Sequence, residues 1–340
     1  MIEPVYLAAP DRYEKMEYRR AGKSGIRLPL LSLGLWQNFG SHLPFQESKK
    51  ILHYAFDRGI CHFDLANNYG PEYGTAEETF GRVMASSFRP HRDELFISTK
   101  AGYDMWPGPY GNWGSRKYLT ASLDQSLKRM NLDYVDIFYT HRMDPETPVE
   151  ETMQALVDIV RQGKALYAGI SRYSRERGLE AARYLAEHDV PCLLFQDRYN
   201  ILDRNIREKG IIDMAVEENA GLVVFSPLQQ GLLTGRYLNG IPKDSRMARN
   251  QSLKQSVLTP ELAAALQGLD SLARKRGQTL AQMSLSWVMH DPRVTSVIVG
   301  ASSVAQLQDN LQAMACQAFT QEELAEIDRL SAPHWIRQYP

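Results

Sequence analysis

Four side chains that can transfer or orient protons each follow a short apolar segment: Asp64, Tyr69, Lys100 and His141. A free tyrosine has a pKa of about 10 and is a poor acid at neutral pH, but a neighbouring lysine ammonium favours the phenolate and lowers that pKa. An aspartate would keep the lysine charged and in place, so that the phenol becomes a usable proton donor. A neutral histidine could orient and polarise a carbonyl oxygen. A hydride from a nicotinamide would complete the set, since these residues supply nothing that attacks carbon.

Each of the four residues alone is more typical of a structural role. Asp64 could cap a loop, Tyr69 could pack as a loop aromatic, and Lys100 or His141 could be solvated or satisfied near the core. A second chemistry also stays open, in which Lys100 is the Schiff-base nucleophile of an aldolase. The four together, at the same end of consecutive predicted strands, favour proton and hydride transfer, because a buried lysine and aspartate must pair to be tolerated.

Eight short apolar segments alternate with helical patterns, which is typical of an α/β fold with a parallel sheet. Eight such units predict closure into a (β/α)8 TIM barrel, with its chemistry at the C-terminal ends of the strands. An open Rossmann-type sheet is disfavoured, because no G-x-G-x-x-G follows an early strand. The predicted strands are Leu31–Leu35, Cys61–Leu65, Leu95–Thr99, Tyr134–Thr140, Ala165–Ile170, Cys192–Gln196, Leu222–Ser226 and Thr295–Val299.

The helical patterns fill the gaps between these strands. Thr75 is a predicted helix cap, and Gly163, Gly210 and Gly221 stand where helix ends need a left-handed residue. We expect a single domain over residues 1–340 with its core at about 18–330. The predicted helices are Ser48–Arg58, Ala76–Met84, Tyr118–Met130, Val149–Gln162, Arg175–Glu187, Ile211–Glu218, Glu261–Arg276 and Val304–Ala315, with an N-terminal hairpin of Glu17–Arg20 and Ile26–Leu30 and an extra C-terminal helix at Glu322–Leu330.

Composition bears on several function classes. The 340 residues carry a formal net charge of -1 without long like-charge runs, so nothing indicates nucleic acid or an anionic membrane as a partner. The apolar runs are strand-sized and no leader pattern follows Met1, which predicts a cytoplasmic protein without a membrane span. Cys61, Cys192 and Cys316 are few and far apart, so we expect reduced thiols and no metal site.

Several separated motifs, in order, resemble the aldo-keto reductases. They are FDLANNYG at 63–70, STK at 98–100, His141, GISRYS at 169–174, FSPL at 225–228, GRY at 235–237 and GAS at 300–302. By this resemblance, Asp64 and Lys100 tune Tyr69 and His141 orients the carbonyl. Residues 100–111 are similar to the bacterial L-glyceraldehyde 3-phosphate reductases within the family, and the chain is also related to potassium channel β-subunits.

The resemblance implies NADPH held in an extended pose over the barrel mouth. Trp36 and Asp64 would border the nicotinamide, and Phe225, or Tyr199 in its place, would supply a stacking ring. The Gly-Ala-Ser turn could hold a phosphate on backbone N–H groups, and Arg246 offers a fork for the 2′-phosphate, which favours NADPH over NADH. Alternatively, Ser302 only caps a helix. The other implied contacts are Ser171, Arg172, Gln196, Ser226, Pro227, Leu228, Gln229, Gln230, Arg236, Gly300, Gln306, Asp309 and Asn310.

By the same resemblance, the expected substrates are small aldehydes: glyceraldehyde 3-phosphate, methylglyoxal or aromatic aldehydes. The aromatic-rich stretch 103–113 would overhang the mouth, or else pack an oligomer contact. A nicotinamide-sensing accessory subunit is the alternative function, and His141 argues against it because channel β-subunits tend to carry Asn there. The relatives suggest a homo-oligomer, a tetramer or octamer. Expected substrate contacts are Trp36, Tyr69, Tyr103, Trp106, His141 and Arg142.

Overall fold

The computed structural model describes residues 5–243, 245, 247–248 and 253–336. Eight parallel strands form a closed barrel, in chain order and with the last strand beside the first, which confirms the predicted (β/α)8 fold. The predicted hairpin is also present, as β1 (Tyr18–Arg20) paired antiparallel with β2 (Arg27–Pro29). The barrel strands are β3 (Leu31–Gly34), β4 (His62–Asp64), β5 (Phe96–Ala101), β6 (Val135–Thr140), β7 (Ala165–Ser171), β8 (Cys192–Arg198), β9 (Gly221–Phe225) and β10 (Ser296–Val299).

The helices surround the barrel and cover its outer face. All of the predicted helices are present within a few residues of their expected bounds, and none of the helices among the described residues is long and apolar enough to cross a membrane. They are α1 (Phe45–Asp57), α2 (Thr75–Val83), α3 (Arg116–Met130), α4 (Val149–Arg161), α5 (Arg175–Glu187), α6 (Asn205–Glu208), α7 (Ile211–Glu217), α8 (Pro260–Lys275), α9 (Leu280–Met289), α10 (Val304–Gln312) and α11 (Gln321–Ser331).

Two predicted helix-end signals are wrong. Thr75 does not cap α2, because Gly74 occupies the cap position and the Thr75 hydroxyl instead donates to the Glu72 carbonyl at 2.8 Å. Gly221 is not left-handed either, since it begins β9, and the left-handed residue after α7 is Asn219 with φ 55°. Asparagine tolerates this conformation better than most side chains, so the helix end needs no glycine there.

The barrel interior contains both apolar and polar side chains. Phe96, Ile137, Leu194, Val223 and Ile298 belong to the interior apolar cluster. Ser32, His62, Ser98 and Ser296 are polar and fully buried. The packing is close enough that a Cβ on Gly169 would lie 2.4 Å from the Tyr139 ring, so glycine is needed there.

Candidate active site

Asp64 and Lys100 form a buried ion pair at the C-terminal ends of β4 and β5. Lys100 Nζ donates to Asp64 Oδ2 at 2.7 Å and to the Leu65 carbonyl at 2.6 Å. The lysine is 0% exposed and the aspartate 2%. Burial lowers the pKa of Lys100, while Asp64 opposes that shift. These partners hold the lysine in place, since both charges are removed from water and must compensate each other.

Tyr69 lies above this pair, on the loop that follows β4. Its backbone N–H donates to the Ala66 carbonyl at 3.0 Å, and Lys100 Nζ lies 5.0 Å from the centre of its ring. Burial, and then the Asp64 carboxylate, raise the pKa of Tyr69 well above its ordinary value. This is opposite to the lowering that we predict from the neighbouring lysine alone. The reason is that the phenol is removed from water and faces the negative member of the pair as well as the positive one.

His141 follows β6 and faces Tyr69. The two ring centres are 5.7 Å apart, and the Tyr103 ring meets the imidazole edge-on at 4.7 Å. Burial, helped by the charges of Lys100, Arg172 and Arg142, lowers the pKa of His141 well below its ordinary value, so the ring is neutral. Its Nδ1 atom is buried without a hydrogen-bond partner. A neutral imidazole with an unused nitrogen is suited to bind a further polar atom, such as a carbonyl oxygen.

A cavity of about 800 Å³ opens at this end of the barrel, which is the size of pocket that holds a cofactor or a small ligand. Trp36 lies in its wall with 42% of its surface exposed. The other predicted site residues that line it are Asp64, Tyr69, Tyr103, His141, Arg172, Gln196, Phe225, Ser226, Pro227, Leu228, Gln230, Arg236, Gly300, Ser302 and Gln306.

Two residues that we predict to bind substrate lie away from this cavity wall. Trp106 packs on Tyr118, with their ring centres 5.1 Å apart. Arg142 donates to the Gly102 carbonyl at 2.8 Å and stacks over the Trp113 ring at 3.6 Å. Both side chains thus make contacts that hold the 103–113 loop in place instead of facing the cavity. Tyr103, by contrast, does line the cavity.

The predicted cofactor residues that are off the wall lie close behind it or have other partners. Ser171, Gln229 and Asn310 are buried. The Asp309 carboxylate accepts a hydrogen bond from Gln282 at 2.6 Å. Arg246 lies outside the described residues.

Three residues that the resemblance assigns to the cofactor carry a buried polar atom without a hydrogen-bond partner. The atoms are Ser171 Oγ at the end of β7, Gln230 Oε1 in the loop after β9, and Asn310 Nδ2 in α10. Unpaired buried polar groups are costly, so their presence indicates a polar ligand that completes them. Each belongs to a position that the resemblance assigns to NADPH. The residues present therefore fit an extended polar cofactor.

The loop after β9 and the start of α10 are shaped for close approach to a ligand. Ser226, Gln229 and Gln230 all have positive φ angles, of 55°, 44° and 56°. Such strain in non-glycine residues clusters at ligand sites. At α10 the cap is Ser303, whose hydroxyl accepts from Gln306 N, so Ser302 is not a helix cap. The Ser302 N–H donates to Gln306 Oε1 at 2.8 Å instead.

The structure decides which ring could stack on a ligand. Phe225 lines the cavity, whereas Tyr199 is 1% exposed and packs on Trp287 with ring centres 5.1 Å apart. The alternative that Tyr199 supplies the ring is therefore wrong. Arg198 also lines the cavity, and its guanidinium lies 5.9 Å from the centre of the Phe225 ring.

Several site residues are missing from the sequence-based set. Gln37, Asn38, Asn68, Thr234 and Tyr237 also line the cavity. The first three directly follow predicted strand ends, a signal that could have identified them. Among the described residues, no group of three or more His, Cys, Asp or Glu side chains could hold a metal ion.

Comparison with known proteins agrees with this geometry. The model of the Aldo/keto reductase family matches residues 30–332. The chain is 55% identical over 329 residues to the L-glyceraldehyde 3-phosphate reductase of Escherichia coli strain K12, covering 96% of this chain and 95% of that protein. It is 37% identical over 305 residues to an Arabidopsis thaliana protein named "Probable voltage-gated potassium channel subunit beta", covering 88% and 91%. The predicted resemblance is confirmed.

Proposed function

This chain belongs to the aldo/keto reductase family and is an oxidoreductase, and from that premise we propose that it reduces small aldehydes to alcohols with NADPH, using Tyr69 as the proton donor. The observation that carries the proposal is the Asp64–Lys100 pair, joined at 2.7 Å, beneath Tyr69 at the floor of the large cavity. A reduced nicotinamide, when bound, supplies the hydride.

The proton chemistry follows from the surroundings of Tyr69. Its raised pKa keeps the phenol protonated at neutral pH, which a donor requires. As the carbonyl carbon is reduced, its oxygen gains negative charge and becomes a stronger base than the phenolate. Lys100, 5.0 Å from the ring centre, stabilises the charge left on the phenol oxygen, and Asp64 keeps that lysine in place. Neutral His141 is placed to orient the carbonyl oxygen.

The cofactor assignment rests on the unpaired polar atoms and on the cationic side chains of the cavity. Ser171, Gln230 and Asn310 would complete their hydrogen bonds on it, and Arg172 and Arg236 line the cavity in which its phosphates would lie. We assign the 2′-phosphate contact to Arg246 from the sequence. The homo-oligomer and the cytoplasmic location stay predictions from the resemblance.

The substrate class follows from the relatives and the cavity. The Escherichia coli proteins are named for L-glyceraldehyde 3-phosphate, and we propose this aldehyde first, with methylglyoxal and aromatic aldehydes as further substrates. A Schiff-base aldolase is disfavoured by the position of Lys100. That amine is fully buried, is bonded to a carboxylate and a carbonyl, and is absent from the cavity wall. Borohydride trapping with substrate should give no adduct on Lys100.

The test is the loss of nicotinamide absorbance with NADPH and a panel of aldehydes. Tyr69→Phe should lower kcat by about a hundredfold or more while leaving the NADPH dissociation constant unchanged, since only the proton is removed. Tyr73→Phe is the matched control, because Tyr73 is an exposed tyrosine of the same loop. Full activity in Tyr69→Phe would remove the phenol from the mechanism.

A further inference from the structure

A chain of polar side chains runs through the barrel interior and ends on Asp64. Ser98 Oγ donates to Asp64 Oδ1 at 2.8 Å, and His62 Nε2 lies 3.2 Å from Ser98 Oγ. On the other side of the ring, His62 Nδ1 lies 2.8 Å from Ser32 Oγ, which is 2.6 Å from Ser296 Oγ. We call these residues, Ser296, Ser32, His62, Ser98 and Asp64, the interior chain. Apart from Asp64, its members are 0% exposed.

His62 is neutral in this chain. Burial, opposed by Asp64 and assisted by Lys100, lowers its pKa to about 4. Its ring also meets Phe96 edge-on, with centres 5.4 Å apart, so one side of the imidazole is apolar. A neutral imidazole carries a single N–H, and its two nitrogens must play opposite roles, one as donor and one as acceptor. The direction of each hydrogen bond in the chain depends on which nitrogen holds the proton.

Counting protons indicates where that proton lies. Five contacts join the members of the chain to each other and to the Pro29 carbonyl, which accepts from Ser296 Oγ at 2.6 Å. Three serine hydroxyls and a neutral imidazole supply only four protons, so one contact has none. Both ends of the chain are acceptors, but only the Asp64 end is charged. Two arrangements keep a proton on the bond to this charged end: His62 protonated on Nδ1 leaves the 3.2 Å contact to Ser98 Oγ without one, and His62 protonated on Nε2 leaves a contact at the Ser296 end without one. With Nε2 protonated, the imidazole N–H and the Ser98 O–H point in succession toward the carboxylate and strengthen each other, which favours this arrangement.

We propose that His62, protonated on Nε2, is a positioning residue for Asp64. It donates to Ser98 Oγ, so the Ser98 proton can only point to Asp64 Oδ1 or to the Phe63 carbonyl, which is farther away at 3.4 Å. Gln196 Nε2 donates to the same carboxylate oxygen at 3.0 Å. The carboxylate is then fixed on one oxygen while the other holds Lys100. This role rests on the proposed function, since it acts through the Asp64–Lys100 pair.

The charge of Lys100 is the quantity that this arrangement controls. The groups that bear on Lys100 are Asp64 and Glu77, with the rings of Tyr69 and Tyr139 at 5.0 and 5.7 Å from Nζ. Those that bear on His62 are Asp64 and Lys100. Losing the bond from Ser98 loosens the carboxylate and weakens its hold on the ammonium. Lys100 then loses its proton at a lower pH. The fall of the reduction rate at high pH, which we call the alkaline limb of the pH profile, then also shifts to lower pH.

The test compares five variants by kcat and by the pH dependence of kcat/KM for aldehyde reduction. Ser98→Ala should lower kcat about tenfold and move the alkaline limb about one pH unit lower, as expected for one lost bond to a charged group. His62→Leu should shift the limb in the same direction by less, because Ser98 then keeps its proton but not its orientation. His62→Gln retains a donor and an acceptor, so its limb should stay in place.

Ser296→Ala is the matched control, since Ser296 is an equally buried serine at the uncharged end of the chain. Its pH profile should equal that of the parent enzyme. The double variant His62→Leu/Ser98→Ala should match Ser98→Ala alone, because His62 acts only through Ser98. If His62→Leu does not fold, Ser98→Ala against Ser296→Ala still decides the question.

An alkaline limb that stays in place in both Ser98→Ala and His62→Leu would overturn the positioning role, even if kcat falls. A shift to higher pH in His62→Leu would also overturn it, because it would mean that His62 competes with Asp64 for the Ser98 proton. Tyr69→Phe separates this inference from the proposed function. If that variant stays active, the proposed function fails; if it is inactive while the limbs do not move, only the role of His62 fails.

Discussion

Tyr69 keeps its proton because its surroundings are apolar and include a carboxylate. The lysine that should acidify it lies 5.0 Å from the ring centre, and Asp64 compensates the positive charge of that lysine. Burial therefore decides the direction of the pKa shift of Tyr69, and the Asp64 carboxylate adds to it. Such a phenol gives up its proton only to a stronger base. A carbonyl oxygen gains that strength during reduction, which is why the site is suited to that direction.

The pH dependence of reduction follows from three shifted groups. His141 has a pKa well below its ordinary value of about 6.5, so it takes up no proton as the pH falls through that value. Tyr69 stays protonated into the alkaline range, and Lys100 has a lowered pKa. We expect kcat/KM to be flat from about pH 8 down to about pH 6, with an alkaline limb below the ordinary lysine value of about 10.4. Rates measured in buffers of constant ionic strength check this. An acid limb near pH 6.5 that disappears in His141→Asn would contradict it.

At the scale of elements, strands were easier to predict than the interior of the barrel. Parallel strands that are buried on both faces appear as short apolar runs, so all eight could be placed within a few residues. Asp64, Lys100 and His141 could be grouped because the C-terminal ends of parallel strands lie at one end of a barrel. The contacts of His62 could not, because they join β3, β4, β5 and β10 through a closed interior. Which side chains meet there depends on barrel closure, which local patterns do not contain.

α9 is a helix that hydrophobic periodicity does not indicate. All ten of its residues are buried, so it has no polar face and no helical periodicity to detect. Its remaining signal is the capping box of Thr279 and Gln282, whose side chains each accept from the other's backbone N–H. A buried helix of this kind can be predicted from its cap rather than from its pattern.

The 103–113 loop is fixed by Arg142, which gives this residue a different role from the predicted one. Its guanidinium donates to the Gly102 carbonyl and to Asn112 Oδ1 at 2.8 and 2.9 Å and stacks over two aromatic rings. We expect Arg142→Met to raise KM about tenfold, and equally for glyceraldehyde and glyceraldehyde 3-phosphate, since the loop loses charge-assisted hydrogen bonds rather than a phosphate contact. Steady-state kinetics with both aldehydes check this. A loss confined to the phosphorylated aldehyde would return Arg142 to substrate binding.

At the scale of the whole molecule, Arg204 joins distant parts of the chain. It follows β8 and donates to Ser331 Oγ at 3.1 Å, and its guanidinium lies 4.6 and 4.5 Å from the ring centres of Trp287 and Trp335. Its ion pair with Asp328 Oδ1 measures 2.5 Å. Trp287 is in α9 and Asp328 in α11, so one side chain links both of these helices to the loop that follows β8.

Removing this guanidinium should destabilise the fold without touching the cavity, whose wall does not include Arg204. We expect Arg204→Met to lower the free energy of unfolding by about 2 kcal/mol, because the arginine is 3% exposed and its buried hydrogen bonds to Ser331 Oγ and the Ile201 carbonyl are lost, while the half-exposed Asp328 adds little. Arg329→Met is the control, since Arg329 pairs with Glu326 on the exposed face of α11 and its loss should leave the free energy of unfolding nearly unchanged. Urea unfolding followed by tryptophan fluorescence measures both. Equal losses in the two variants would mean that the buried contacts of Arg204 add nothing beyond an ordinary surface pair, and the closure of the C-terminal part would then rest on the apolar packing of α9 and α11 alone.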